Sequence, residues 1–372
     1  MLGVSHPQGK SPVTAGAVEF ALVLSGGNAL GAYQAGAYEA LHERGFLPDR
    51  VAGASVGAIN GAIICGNAPL DRLKKLRALW TPAAKGSPAM EAGGILEDIR
   101  RSFAAMMTLA AGRPGVFVPR YFSWLTPGLS LSEQVSLHDT LPLRAELERL
   151  LDFDLLNAPS APAFLATAID IETGEDVAFD SRRQPVHADH LRASAALLPA
   201  FAPVEIDGRL FGDPGMSANL PLDCALHEPG DGPLLCFALD LLPLHGRRPG
   251  RLSESVLRMQ DLLFATQSRR TIAAWQTIFD ERAKQGEGRP ITLVHLAYRD
   301  QDPEVSGKAF DFSGRSAAHR WQAGFTDTMQ ALDDLAAGTV ELRRRAGMSV
   351  YARPAPCAGL QLTGHSLVPS GA

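Results

Sequence analysis

Gly53-Ala54-Ser55-Val56-Gly57 decides the reading of this chain. The residues before it, Arg50-Val51-Ala52, read as a short strand, and the small and apolar residues from Val56 to about Ile64 read as a helix. A serine flanked by glycines two positions before and two after, between strand and helix, is the G-x-S-x-G pattern of a nucleophile elbow. Such a turn lifts the serine Oγ clear of the sheet. The turn is strained, and a Cβ at Gly53 or Gly57 would crowd it. The first N–H groups of the following helix lack partners inside that helix and point back toward Ser55. The five residues alone fit an ordinary small-residue βα turn equally well, so the surrounding sequence must decide.

Upstream, Glu19-Phe20-Ala21-Leu22-Val23-Leu24 is a short apolar run bounded by turn residues and reads as a buried strand. It ends at Ser25-Gly26-Gly27-Asn28. A helical pattern follows from Ala29 to Arg44 and stops at Gly45. Paired glycines at a helix start let backbone N–H groups converge on one point, which suits an anion. One reading is a nucleotide phosphate site, but the spacing fits neither G-x-G-x-x-G nor G-x-x-x-x-G-K-[ST]. The other is an oxyanion hole beside the serine. The short connection from Gly45 to Ser55 favours the oxyanion hole. It lets the helix cross back so that the two strands lie parallel and end at the same edge.

Downstream, Asp71–Trp80 reads as an amphipathic basic helix with a leucine stripe. Residues 81–130 are rich in Gly, Pro, Ala and Met and show no sustained period. They read either as an insertion covering an apolar pocket, in the manner of a lid, or as a loop layer packed on the core. Leu141–Leu151 is a helix capped by Asp139 or Thr140. Ala163–Ile169 and Val177–Phe179 form a hairpin, and His187–Ala196 a helix. A second hairpin, Val204–Ile206 and Arg209–Phe211, turns at Asp207-Gly208 and delivers Gly212-Asp213-Pro214-Gly215. Leu234–Leu239 and Ile291–Leu296 are strands, and Leu252–Lys284 and Ser316–Ala337 are helices. The domain organisation expected is a disordered segment 1–17, a catalytic core 18–225, a C-terminal extension 226–347 packed on that core, and a loose tail 348–372.

The 372 residues carry a formal net charge of -5, with 46% hydrophobic and 20% charged residues. This is the balance of a globular protein with ample core, and it argues against nucleic acid as a partner. Cys65, Cys224, Cys236 and Cys357 have no metal-ligand spacing, and no acidic calcium loop is present, so neither metal nor cofactor is expected. No apolar run is long enough to span a bilayer, and Met1–Ala17 lacks the pattern of a secretory leader. The expected location is cytoplasmic, with any membrane contact peripheral.

A nucleophilic serine needs a base. A histidine following Ser55 in α/β-hydrolase order would be His227, His245, His295, His319 or His365, none of which sits in a suggestive turn. The other option is a carboxylate acting directly. Asp213, at the end of a hairpin strand in a glycine-flanked turn, suits that role if burial raises its basicity.

Three blocks in this order resemble the patatin-like phospholipases: Leu24-Ser25-Gly26-Gly27-Asn28-Ala29-Leu30-Gly31, Gly53-Ala54-Ser55-Val56-Gly57-Ala58-Ile59-Asn60-Gly61, and Gly212-Asp213-Pro214-Gly215 preceded by Ala193–Val204. The likeness spans about Phe20 to Leu222. Phe310–Ser313 and Arg320–Asp327 are similar to the C-terminal extension of a bacterial subgroup. The resemblance implies a three-layer α/β/α sandwich on a mostly parallel sheet. It implies a Ser55–Asp213 dyad without a catalytic histidine, and hydrolysis of lipid acyl esters through an acyl-enzyme. The N–H groups of Gly26, Gly27 and Asn28, with Val56, would hold the oxyanion. The sequence departs from the family pattern in three places: Asn28 stands at a usual glycine, Leu30 at a frequent cation, and Pro214 at a glycine. These departures keep open a second reading, a catalytically impaired lipid- or acyl-binding protein on the same fold.

Overall fold

The structure, a computed structural model, describes residues 18–81, 95–120, 136–227, 230, 232–299, 301, 304–305 and 307–352. The segment 1–17 read as disordered, His365 and Cys357 lie outside them, as does much of 81–130.

Eleven strands are present among these residues: β1 (Glu19–Leu24), β2 (Arg50–Ala54), β3 (Val118–Pro119), β4 (His138–Asp139), β5 (Ala163–Asp170), β6 (Asp176–Asp180), β7 (Val204–Ile206), β8 (Arg209–Gly212), β9 (Leu234–Asp240), β10 (Pro290–Ala297) and β11 (Gly347–Ala352). The helices are α1 (Ala32–Glu43), α2 (Val56–Cys65), α3 (Pro69–Trp80), α4 (Ile95–Ala111), α5 (Leu141–Leu150), α6 (Phe153–Leu156), α7 (Ala188–Ser194), α8 (Asp223–Leu226), α9 (Leu252–Lys284) and α10 (Gly314–Ala336). Nine strands form one sheet in the order β11-β10-β9-β1-β2-β5-β8-β7, with β6 also paired to β5. From β11 to β5 every pairing is parallel, and β6, β7 and β8 add antiparallel pairs at one side.

Strand alternation divides the core. Phe20, Leu22 and Leu24 of β1 and Leu235, Phe237 and Leu239 of β9 pack with α1, α2 and α10. Their neighbours Ala21, Val23, Cys236 and Ala238 face the other way, onto Ile272, Trp275 and Phe279 of α9. A strand apolar on both faces must be covered on both, and the result is a three-layer α/β/α sandwich. Each fully buried Leu or Phe side chain contributes about 1.5–3 kcal/mol, so this double-sided burial dominates the stability.

α10 is held against α1 by mutual backbone approach. A Cβ on Gly36 would collide with the Trp321 carbonyl, and one on Gly324 with the Tyr33 carbonyl. Tyr33 donates to Asp327 at 2.9 Å, Trp321 Nε1 donates to Glu39, and Arg44 pairs with Asp333 at 2.5 Å.

The largest departures from the sequence reading are two. Within 81–130, where no period was visible, α4 forms a helix with Arg101 and Ala105 buried. The tail read as loose from 348 begins as strand β11, which pairs with β10 from Pro290↔Gly347 to His295↔Ala352 and buries Met348. Its short alternation, Met-Ser-Val-Tyr, was masked by the Pro/Gly-rich residues beyond it.

Candidate active site

The carboxyl ends of β1 and β2 are neighbours, with Leu24 paired to Gly53. The turns that follow them therefore meet at one sheet edge, where open α/β sheets bind ligands. Ser55 caps α2 with φ 54 and ψ −125, a left-handed strained conformation rare for a residue with a Cβ. A Cβ on Gly57 would strike the carbonyls of Leu24 and Ser25, and one on Gly53 would lie 2.5 Å from Ala58 N. The Ser55 N–H donates to Ser194 Oγ at 2.9 Å, which fixes the elbow against the end of α7.

Asp213 follows β8 through the Asp207-Gly208 turn, where both residues take positive φ as a tight hairpin demands. Its backbone is extended, φ −63 and ψ 127, the region that Pro214 enforces on its predecessor. Its N–H donates to Ala196 O at 3.0 Å, and its Oδ1 accepts the Gly215 N–H at 2.8 Å. The side chain is buried, and burial pushes its pKa from 3.8 up to about 6. The Ser55 hydroxyl faces this carboxyl, and its interaction with the carboxylate, like that of the Gly215 N–H, lowers the pKa by less than burial raises it.

The glycine turn lies beside the serine: a Cβ on Gly26 would be 3.1 Å from Ser55 Cβ. Its N–H groups divide. Gly26 donates to Asn219 O at 3.0 Å, and Asn219 Nδ2 returns a 3.3 Å bond to Gly26 O. Gly26 therefore fastens the turn and has no N–H to offer, a correction to its expected place among the oxyanion donors. Among the described residues, no protein acceptor takes the N–H of Gly27, Asn28 or Val56. Asn28 adopts φ 51, so the residue at the usual glycine keeps the left-handed turn. It opens a short 3-10 segment, Asn28–Gly31, which delays α1 to Ala32, where the sequence placed the helix start at Ala29.

A buried polar chain joins the two turns. Gln34 donates to Ser25 O at 2.8 Å, Asn60 donates to Gln34 Oε1 at 3.0 Å and Gly31 O at 2.9 Å, and Trp80 Nε1 donates to Asn60 Oδ1 at 2.9 Å. Every member is satisfied, which rigidifies rather than penalises the interior. The extension adds a second tie. Arg320, wholly buried, makes a fork to both Glu304 oxygens at 2.8 and 2.7 Å and donates to Ala29 O at 3.0 Å, next to the glycine turn. Burial would raise the Glu304 carboxyl, but the Arg320 fork reverses the sign and holds it below its ordinary value.

Ser55, Asp213, Gly27, Asn28 and Val56 line a cavity of about 100 Å³ whose walls are apolar and aromatic. Trp80, Phe117 and Phe201 come from the core, Phe264 from α9, and Phe310 and Phe312 from the segment before α10. No histidine lines it among the described residues. His227 packs edge-on to Trp275, His295 lies 3.5 Å from Asp240 and His319 lies 3.5 Å from the Tyr298 hydroxyl, all on other parts of the fold. Sequence reasoning missed Ser194, Asn219, Asn60 and the aromatic wall. Ser194 and Asn60, like Phe201, Phe310 and Phe312, lie inside the quoted blocks, whereas Asn219, Trp80 and Phe264 do not. Cys65, Cys224 and Cys236 are free thiols whose pKa burial pushes up to about 12, which leaves them unsuited to nucleophilic chemistry. No described helix is long and apolar enough to cross a membrane.

Comparison with known proteins adds the family. No curated protein matches the chain. Among solved structures, VipD from Legionella pneumophila shares 15% identity over 86% of this chain and 67% of its own, with a TM-score of 0.39. ExoU in complex with SpcU from Pseudomonas aeruginosa gives 17% identity, 86% and 52% coverage and 0.35. Human GIVD cytosolic phospholipase A2 gives 12%, 86% and 60%, and 0.32. The chain thus spans about half to two thirds of these proteins, and likenesses at these scores carry no argument. The family models do. One described as patatin-like phospholipase matches residues 22–226, more than half of the chain, and a second, described as patatin phospholipase, matches residues 252–338. The chain belongs to the patatin-like phospholipase family, whose members are lipid acyl hydrolases.

Proposed function

We propose that the protein hydrolyses carboxylic esters of lipids with Ser55 as nucleophile and Asp213 as its base. One observation carries this reading: a serine held in a strained elbow faces a buried carboxyl of raised basicity at the mouth of an apolar cavity. As the Ser55 Oγ attacks the acyl carbon, Asp213 takes its proton. The oxyanion of the tetrahedral intermediate develops beside the free N–H groups of Gly27, Asn28 and Val56, donors already in place before the reaction. Collapse of the intermediate returns the proton from Asp213 to the departing alcohol and leaves an acyl-enzyme. Asp213 then deprotonates a water, which attacks the acyl carbon. The second collapse frees the fatty acid and restores the Ser55 hydroxyl. A carboxylate with a pKa of about 6 is mostly ionised at neutral pH yet more basic than an ordinary Asp, which is what a general base requires.

Peripheral contact with a lipid surface and a cytoplasmic setting belong to the same proposal. So does the division of the chain into a catalytic core 18–225 and an extension 226–347, whose Phe264, Phe310 and Phe312 complete the cavity wall. Asn28 and Pro214 gave the impaired, lipid-binding reading its motive, and both residues sit in backbone conformations that suit them.

The test is fatty-acid release from dispersed phospholipid, lysophospholipid and monoacylglycerol, followed by mass spectrometry. Wild type should release acid from at least one class and Ser55→Ala from none. Equal release by both would overturn the assignment, and saturable lipid binding without release by either would restore the impaired reading.

A further inference from the structure

Arg113 is the one cationic side chain lining the cavity among the described residues. It sits just after α4 in a closed turn: its N–H donates to Phe117 O at 2.9 Å and its carbonyl accepts the N–H of Phe117 at 3.0 Å. The guanidinium lies 4.2 Å from the Phe312 ring centre and 5.7 Å from that of Trp80. Among the described residues one of its five N–H donors reaches a protein acceptor, Leu79 O at 2.6 Å. Among the described residues no carboxylate lies within ion-pair distance of it. Glu146 acts on it only at longer range and is itself forked to Arg149 at 2.5 and 2.9 Å. Burial lowers its pKa to about 10, so it stays charged at neutral pH.

Arg113 is part-buried against aromatic rings, with four donors unclaimed among the described residues and no carboxylate beside it to offset its charge. The rings offset part of that charge through their π faces. They cannot accept the planar fork of N–H donors, which matches a carboxylate or a phosphate. Placing such a group in the cavity with Ser55 would supply the missing acceptors at the place where the ester must sit. We propose that Arg113 is a substrate-binding residue that holds an anionic group, phosphate or carboxylate, carried by the ester that Ser55 attacks. The hydrolytic role of Ser55 and Asp213 is taken from the preceding section. The anion preference is a separate claim about the same cavity. An acyl ester bearing its anion on the alcohol side, as in a glycerophosphate ester, would meet this requirement, and an uncharged ester would not.

The experiment measures binding first. Decyl phosphate, decanoate and decanol are titrated into wild type, Arg113→Gln and Arg113→Lys by calorimetry. Wild type should bind one or both anions roughly 10- to 100-fold tighter than decanol, the range of a charge-assisted hydrogen bond. Which anion binds tighter names the group recognised. Arg113→Gln should erase the preference while decanol binding persists, and Arg113→Lys should keep part of it. Equal affinity of wild type for anions and decanol, or a preference that survives Arg113→Gln, overturns the proposal. If Arg113→Gln does not fold, Arg113→Lys decides: weakened anion binding with intact decanol binding supports it, and unchanged anion binding overturns it. A kinetic arm compares 1-acylglycerol 3-phosphate with the monoacylglycerol of the same chain. The wild-type ratio of kcat/KM should favour the phosphate and should collapse in Arg113→Gln through KM. Absence of hydrolysis of both by wild type would sink the hydrolase reading and leave the binding result standing on its own.

Discussion

Asp213→Asn should make the protein more stable while abolishing its activity. Burial raises the Asp213 pKa from 3.8 to about 6, so folding disfavours the ionised carboxyl. Between these two values the folded state binds more protons than the unfolded state. Stability therefore falls as pH rises through that window, and the loss is complete above about pH 6 and absent below about pH 4. A shift of about two units corresponds to about 3 kcal/mol. Asn is nearly isosteric, its Oδ1 accepts the same Gly215 N–H, its Nδ2 has the Ser55 hydroxyl to donate to, and it carries no charge to bury. At pH 8 the variant should thus exceed wild type by up to about 3 kcal/mol, or about 4 °C in Tm for a chain of this length. The gap should close as pH approaches 4. Urea denaturation of both proteins at pH 4.5, 6 and 8, followed by circular dichroism, reads it directly. Activity should fall by roughly 10⁴-fold, as when the acid of a catalytic triad is replaced. A variant that is less stable than wild type, or a gap that ignores pH, would refute the idea that fold stability is spent on keeping this carboxylate basic.

Three further expectations follow from the same geometry. The value of kcat/KM should fall about tenfold per pH unit below pH 6 and level off above it, because Asp213 must be ionised to accept a proton; a stopped pH series with an uncharged ester checks this, and a flat profile down to pH 5 contradicts it. Ser194→Ala removes the acceptor of the Ser55 N–H and should cost about 1–3 kcal/mol in chemical denaturation, with activity reduced beyond the loss of folded protein; unchanged stability would mean the elbow needs no such anchor. Gly324→Ala drives a Cβ into the Tyr33 carbonyl and should cost about 1–3 kcal/mol by forcing α10 from α1; an unshifted Tm would show that the two helices do not touch there.

The chain announces its fold where local rules are strong. Glu19–Leu24, Arg50 with its successors and Leu234–Leu239 are short apolar runs with sharp ends, and their strands fall within a residue or two of the expected bounds. α9 starts at Leu252 and ends at Lys284, as the sequence indicated. The elbow and the Asp-Gly hairpin were legible because glycine and Asx chemistry at tight turns leaves a local trace. What stayed hidden depends on distance. Asn219 meets Gly26 across 193 residues, and Arg320 meets Ala29 across 291. No period or motif encodes such pairings. Nor does the sequence show that Gly26 would surrender its N–H to Asn219 and so leave Gly27 and Asn28 as the free donors of the turn. The aromatic wall is hidden for the same reason: Trp80, Phe117, Phe264 and Phe312 come from four separate elements.

The central claim is that Ser55 is an activated nucleophile beside working oxyanion donors. A fluorophosphonate probe tests it most directly, because the reagent phosphonylates only a serine that can attack and whose new oxyanion is held. Purified protein is labelled in mild detergent and digested, and the modified peptide is located by mass spectrometry. Modification should fall on Ser55, be absent in Ser55→Ala, and slow sharply in Asp213→Asn. Labelling at another serine, or none in a folded protein, would contradict the account.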